Sequence, residues 1–493
     1  MKKKILSVAL ALATAVSCIG ALGSCKKKSD ALTIRYYNGG YGDQWLKDSL
    51  EEFCDAKGIK YELIPDNEIT YNANLYLDRN VPDLIMSNGN WKESVADGKI
   101  EELSDVYNTE VQTSNGKVAI KDYIEPNVMK QFTRKKIYGS EGGEYTWAVP
   151  WASQVLSLAY NETILLSTTH KEGNPYTVKG LDKGATWTHA PNTVNELLAY
   201  LTDVRMADNG ITPWGYAQDN LNWYDALFYV WWAELQGLET SNYEGEGCFY
   251  DFFNMESPEL IKQSGYKGAL DTVRKVIVDE NGQLYNSNND GGMKKEQMQQ
   301  NFAKGNIAVC LVGDFFEKEY KDFIPEDQVI KLMYIPTISE DSEAERLTYV
   351  QTDNVMYVPV NAEHKDWAKE FLAFLCNEEQ LLNFSKATGV VRPFGYNPYE
   401  LASDFAWTDF QKSTFEIYYG ADHKVVKYPL TATEVSPIYL YEDVSLFMGV
   451  PAATVFGEFR KKGNATAAAD EIVSQVYTNL KQSFAEWEDY YQL

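Results

Sequence analysis

Between Leu32 and Ser87 the spacing of apolar residues switches from alternation to helical spacing and back, and this switching narrows the choice of fold most. Leu32-Thr33-Ile34-Arg35-Tyr36-Tyr37 reads as a strand that stops at Asn38-Gly39-Gly40-Tyr41-Gly42. Over Asp43–Lys57, Trp45, Leu46, Leu50 and Phe53 share one face of a helix. Ile59–Ile64 alternates again, and Val81-Pro82-Asp83-Leu84-Ile85-Met86-Ser87 is a further strand closed by Asn88-Gly89-Asn90-Trp91. Strand, helix, strand and strand in this order predict an α/β lobe with a mainly parallel sheet. Ligands of such sheets sit beyond the carboxyl ends of the strands. That rule nominates Asn38, Tyr41, Asn88 and Trp91 as the edge of a binding site.

The same alternation continues downstream. Tyr145–Trp151 and Val155–Asn161 read as two extended pieces, and 168–190 as a polar, glycine-rich loop. Thr193 followed by Glu196 fits a capping box for a helix running towards Ala207. Lys294–Ala303 and Asp366–Cys376 read as helices; Ile307–Val312, Val329–Ile335 and Val355–Val360 read as strands. A last amphipathic helix spans Thr466–Tyr490, with Ile472, Val476, Leu480, Phe484 and Trp487 in register. Residues 213–253 are densely aromatic. Trp231 and Trp232 are adjacent there, so they cannot share a helix face, and at least one is expected in a core.

The amino terminus carries an address. Lys2, Lys3 and Lys4 precede the uncharged run Ile5–Leu22, a secretory signal pattern. Leu22-Gly23-Ser24-Cys25 then resembles the lipobox of bacterial lipoproteins. The resemblance implies cleavage before Cys25, with acyl chains on its thiol and new amine that hold the protein at the outer side of the cell membrane. Residues 1–24 are then the signal peptide and 25–30 a lipidated tether.

Several segments together resemble the family 1 extracellular solute-binding proteins of ABC importers, the maltose-binding-like group. They are Val81–Met86, Gly143–Pro150 with Tyr160-Asn161, Pro191–Leu198, Phe302–Val309 with Gly313-Asp314-Phe315, and Val358-Pro359 through Ala368–Leu375 to Thr388–Pro393. Two positions depart from the family pattern: Val309 stands where Met is usual, and Phe315 where Trp is usual. The resemblance implies a two-lobed, type II periplasmic-binding-protein-like α/β fold with the ligand cleft between the lobes. The expected division is 31–152 plus 310–350 for lobe 1, and 153–309 plus 355–493 for lobe 2. Chain crossings are expected near Trp151–Ser153, Asp314–Phe316 or the loop after it, and Thr352–Asn354, where a hinge would let the lobes close. The implied function is capture of a sugar, an oligosaccharide before a monosaccharide, and delivery to the permease subunits of an ABC transporter. Such proteins are not enzymes, need no cofactor, and are expected as monomers.

Residue chemistry points the same way. Aromatic planes cover the apolar faces of sugars, and amides, carboxylates and guanidinium groups address the hydroxyl rims. The chain holds 12 Trp, of which Trp91, Trp151, Trp214 and Trp223 stand in polar or loop settings. Each is read as a stacking candidate or as core. Asp314 is read as a cleft residue or a helix cap, and Arg392 as a cleft residue or a surface ion pair. A net charge of −26 disfavours nucleic acid and anionic lipid surfaces. No metalloprotease, hydrolase-elbow, phosphate-loop or dinucleotide motif occurs. A glycosidase carboxylate pair is a spatial feature that sequence cannot test, so a surface-attached carbohydrate-active enzyme or glycan-adhesion protein is the alternative. His170, His189, His364 and His423 stand in polar stretches and read as surface imidazoles, and no metal site is expected. Asn286-x-Asn288-x-Asp290-Gly291 imitates a calcium loop but has Gln297 at its twelfth position. Cys310 and Cys376 lie in apolar runs and read as buried free thiols.

Overall fold

The computed structural model describes residues 30–69, 73–88, 91, 94–95, 97–134, 145–217, 219, 223–253, 257–278, 293–340, 346–420, 423–428, 457 and 465–491. The signal segment, Cys25 and the calcium-like stretch lie outside them.

Alternation in the first strand has the predicted consequence. In β1 (Ala31–Tyr36), Leu32, Ile34 and Tyr36 are buried. Helix α1 (Gln44–Lys57) buries Trp45, Leu46, Leu50 and Phe53 and ends at Gly58, whose φ of 67° is the left-handed cap that glycine adopts without strain. Strands β2 (Lys60–Pro65) and β3 (Leu84–Asn88) both pair with β1 in parallel. The Pro-Asp entry to β3 has a structural cause. Asp83 is buried and accepts from Thr33 N at 2.8 Å and His364 N at 2.7 Å, tying β1 to a later helix start.

The two extended pieces expected over 145–161 are largely one strand, β4 (Val149–Asn161), with Tyr145-Thr146 in a separate short pair. Helix α2 (Val194–Ala207) starts as the capping residues predict: Thr193 Oγ1 accepts from Glu196 N at 3.1 Å. Glu196 reaches one residue further back, to Asn192 N at 2.7 Å. The second lobe continues with β5 (Thr212–Gly215), α3 (Asp225–Gln236), α4 (Ser264–Ile277), α5 (Lys295–Ala303), β6 (Ile307–Gly313), β7 (Ile330–Met333) and the long β8 (Arg346–Tyr357). The chain then forms α6 (Lys365–Phe374) and α7 (Glu378–Thr388) in the first lobe. It closes with α8 (Asp409–Tyr419), β9 (His423–Tyr428) and α9 (Ala465–Tyr491).

One nine-stranded sheet runs through both lobes in the order β2-β1-β3-β8-β4-β6-β5, with β7 on β4 and β9 on β8. It is mixed: β4 is antiparallel to β8, β6 and β7. The two long strands carry the chain between lobes. Their register is regular from Tyr349↔Leu156 to Gln351↔Gln154, slips on both sides of Asn354↔Ala152, and resumes at Val355↔Pro150. The first lobe's core holds Leu32, Ile34, Trp45, Met86, Trp151, Met356, Phe371 and Phe384. The second lobe's sheet is covered on both faces. Leu156, Leu158 and Leu311 face α2, α3, α4 and α9, while Val155, Cys310 and Val312 face α5 and α8. Helix α3 lies inside this packing, which is why both Trp231 and Trp232 are fully buried, with their indole N–H groups donating to Pro336 O and Gln263 Oε1.

The cores correct the expected division of the chain. Residues 355–390 bury with lobe 1: Phe371 meets Phe53 at 5.2 Å and Phe384 meets Trp45 at 4.9 Å. Residues 307–350 bury with lobe 2 through Leu311, Val312, Leu332 and Tyr349, except Phe315, which packs in the lobe 1 core. The assignments of these two segments were exchanged because β8 runs from lobe 2 into lobe 1. The crossing expected near Asp314–Phe316 is also displaced. It lies after Val391, which packs with lobe 2, past Phe394 and Tyr396 in lobe 1, to Ala402 back in lobe 2.

Candidate functional site

The loop after β1 sits where a parallel sheet exposes its strand ends. Asn38 holds it in shape: Gly40 N donates to Asn38 Oδ1 at 3.1 Å and Tyr41 N to Asn38 O at 3.0 Å. Gly39, with φ of 61°, passes over Trp151, where an added Cβ would lie 3.1 Å from the ring. Gly40, with φ of 85°, faces the second lobe, where an added Cβ would lie 2.6 Å from Glu319 Oε1. Two left-handed glycines thus let the loop fit between the lobes.

Tyr41, Trp151 and Asp314 meet behind this loop. Tyr41 stands edge-on to Trp151 at 5.5 Å and to Phe315 at 6.0 Å. Its hydroxyl donates to Asp314 Oδ1 at 3.1 Å. Trp151 lies parallel to Trp45 at 6.2 Å, and its Nε1 donates to Ser87 O at 3.2 Å, next to Asn88. Asn88 Nδ2 donates to Asn354 Oδ1 at 3.0 Å. From the second lobe, Trp223 meets Phe315 at 5.7 Å and packs against both lobes' cores while remaining half-buried. Lys295 Nζ stands 5.3 Å from the Trp223 ring centre. Asn38, Tyr41, Trp151, Asp314 and Trp223 are thus linked through successive contacts across one junction, with Asn88 beside it next to Ser87.

Burial sorts their roles. Asn38, Asn88 and Trp223 keep surface at the junction. Tyr41, Trp151 and Asp314 are buried behind it. Asp314 is neither a surface cap nor a free carboxylate: burial pushes its carboxyl up to about 7, against the opposing effect of the Val155 and Tyr41 hydrogen bonds.

Three other residues nominated from sequence lie elsewhere. Trp91 packs on Phe132 at 5.7 Å in the lobe 1 core. Trp214 is fully buried in the lobe 2 core, and its Nε1 donates to Tyr224 Oη at 2.7 Å. Arg392 is fully buried and makes no surface ion pair. It donates to Leu375 O at 2.5 Å and Pro150 O at 3.0 Å, joining α6 to the start of β4. An arginine used this way serves backbone carbonyls that would otherwise be unsatisfied.

His170 also departs from expectation. It is buried, with Nδ1 2.8 Å from Asp203 Oδ2. Asp203 also accepts from Trp187 Nε1 at 2.9 Å, Asn174 Nδ2 at 2.6 Å and Lys171 N at 2.8 Å, which pins the 168–190 loop to α2. His189 is exposed, and His364 is half-buried against Trp367. The side chain of His423 lies outside the described residues. Cys54, Cys248, Cys310 and Cys376 are free and buried. Among the described residues no cluster of three or more metal-ligating side chains occurs, and no helix is long and apolar enough to cross a membrane.

Sequence reasoning missed Glu319 and Lys295 at the junction, and reached Phe315 and Asn354 only as parts of expected crossings. Phe315 also stood out as a departure from the family pattern; Glu319 and Lys295 carry no local signal. A separate groove on lobe 1, lined by Glu52, Gln112, Ser114, Phe374, Glu378 and Leu401, does not reach this junction. Its polar groups serve one another, Ser114 N donating to Glu378 Oε1 at 2.7 Å.

Comparison with known proteins agrees with this architecture. Residues 48–409 match the family described as bacterial extracellular solute-binding protein. No curated protein sequence matches the chain. Similar solved structures include RafE in complex with raffinose, at 14% identity and a TM-score of 0.58 over 91% of this chain and 98% of that one. A sugar transporter from Bacillus licheniformis in complex with stachyose matches at 14% identity and a TM-score of 0.56, over 91% and 100%. The maltotriose binding protein of Thermus thermophilus, bound with maltotriose, matches at 15% identity and a TM-score of 0.54, over 91% and 100%. The fold is that of these two-lobed binding proteins, and with the family match covering most of its length, the chain belongs to the bacterial extracellular solute-binding proteins.

Proposed function

We propose that this solute-binding protein captures an oligosaccharide at the junction of its lobes and delivers it to the permease subunits of an ABC transporter. The observation that carries the reading is a half-buried indole, Trp223, packed against both lobes' cores, at a junction whose first-lobe side presents the partly exposed amides of Asn38 and Asn88. An indole face suits a sugar's C–H face, and amides suit vicinal hydroxyls. The sugar ligands of the similar solved structures support it. The protein acts as a monomer that returns its ligand unchanged and uses no cofactor. Closure about the crossings at Ala152-Ser153, the β8 slip and 391–402 completes the contacts, and that differential affinity drives the population shift.

Thermal shift against mono- and oligosaccharides tests the reading. A true ligand at 100 times its Kd stabilises the native state by about 2.7 kcal/mol. A raised transition with raffinose-, stachyose- or maltotriose-type sugars is expected. No shift with any sugar, or release of shortened products, overturns it.

The anchor belongs to the same reading. The lipobox-like Leu22-Gly23-Ser24-Cys25 ahead of the first strand supports lipidation at Cys25, by which the lobes would be held at the outer face of the membrane. Cys25→Ala is expected to move the protein from the membrane to the soluble fraction. Mass spectrometry of the parent should find acyl chains on the peptide beginning at Cys25. An unmodified thiol there rejects the anchor.

A further inference from the structure

Asp314 occupies an unusual place. Strand β6 ends at Gly313, paired with Leu156 of β4. At the next position the ladder continues by a substitution. Asp314 N donates to Val155 O at 3.0 Å, and Val155 N is answered by the carboxylate, Asp314 Oδ2, at 2.9 Å. The side chain stands in for a backbone carbonyl, which fixes it against the second lobe. Its other oxygen accepts from Tyr41 of the first lobe. The two oxygens of one buried carboxyl therefore serve different lobes, beside the crossing at Ser153.

We propose that Asp314 is a positioning residue for solute capture: it ties the Tyr41 loop of the first lobe to strand β4 of the second, and its protonation favours the joined arrangement of the lobes. The inference rests on the proposed capture between lobes and adds a pH-dependent term to it.

Among the described residues, the backbone N–H groups of Val155, Phe315 and Asp314 itself bear on the carboxyl, together with the Tyr41 hydroxyl. Tyr41 and Tyr418 face Asp314, and Tyr37 and Glu319 act on Tyr41 in turn, with Lys295 opposite Glu319. Burial holds the Tyr41 and Tyr418 phenols well above their usual range, so both keep their protons near neutrality. In the joined arrangement, burial pushes the carboxyl up to about 7. With the lobes apart the carboxyl meets water and titrates in the ordinary carboxylate range, near about 4. The joined arrangement then takes up a proton as pH falls from 8 to 6. Over that window the joined-to-separated ratio rises by up to about tenfold. Stabilisation from Asp314 is thus complete at low pH and is lost as pH rises through about 7.

Hydrogen exchange on the full chain, without sugar, tests this. Peptides covering 37–42 and 313–320 are followed at pH 6 and pH 8, corrected for intrinsic rates. The parent is expected to show up to about tenfold greater protection at pH 6. Asp314→Asn should abolish the pH dependence. Tyr41→Phe removes one hydroxyl and retains the ring, so it keeps the test open if Asp314→Asn fails to fold. It should lower protection in 37–42 at both pH values. Equal protection at both pH values in the parent, or an unaltered loop in Tyr41→Phe, overturns the proposal. Because no sugar is present, either outcome leaves the sugar reading to the thermal-shift result.

Discussion

Trp214→Ala is expected to lower the unfolding free energy by about 3–5 kcal/mol, and to leave sugar affinity in the surviving native protein unchanged. Trp214 stands in β5, packed inside the lobe 2 core with Leu158, Tyr224 and Val309. Truncation removes the indole's contacts, leaves a cavity in a close-packed interior, and strips Tyr224 of the Trp214 Nε1 donor. Chemical denaturation followed by far-ultraviolet dichroism reads the loss, and calorimetry with a sugar identified by thermal shift reads the affinity. A stable variant with weakened binding would return Trp214 to the ligand.

Trp223→Ala is expected to do the reverse. Its ring is half-buried, contacts Phe315 across the junction and has Lys295 near one face. Losing a stacking indole at a binding centre costs about 2 kcal/mol or more, which is roughly thirtyfold in Kd. Calorimetry of parent and variant measures the ratio, and the thermal transition without sugar should move little. Unchanged affinity removes Trp223 as the stacking surface and leaves it as interlobe packing.

The contrast between these two tryptophans shows what the sequence contained. Both stand in a polar-looking, aromatic-rich stretch, only nine positions apart, and local composition cannot separate them. The difference is set by which elements arrive on top of them. Trp214 is covered from both sides by helices and strands distant in sequence. Trp223 lies at the lobe boundary. Trp151 and Arg392 follow the same logic: each stands at a crossing, an expected one for Trp151 and an unexpected one for Arg392, and each is consumed by a contact from remote chain, Ser87 O for one and Leu375 O with Pro150 O for the other.

Local rules determined the elements themselves. The period of the apolar residues specified β1, α1 and most of α9. Gly58 ended α1, and Thr193 began α2, because helix ends need partners for their orphan backbone groups and these residues supply them within a turn. The strand-end rule nominated Asn38, Tyr41, Asn88 and Trp91 at one edge from sequence alone, since the carboxyl ends of parallel strands lie on one side whatever the rest of the chain does; Trp91 instead packs into the lobe 1 core on Phe132. Tertiary structure decided the rest. A βα alternation reads alike in either lobe, so only the pairing of β8 with both β3 and β4 shows that 355–390 belongs with lobe 1 and 307–350 with lobe 2. Asp314 was visible as a residue after a buried strand. Its shared carboxyl was not, because hydrogen bonds between positions as distant as Tyr41 and Asp314 depend on long-range packing that no local spacing encodes.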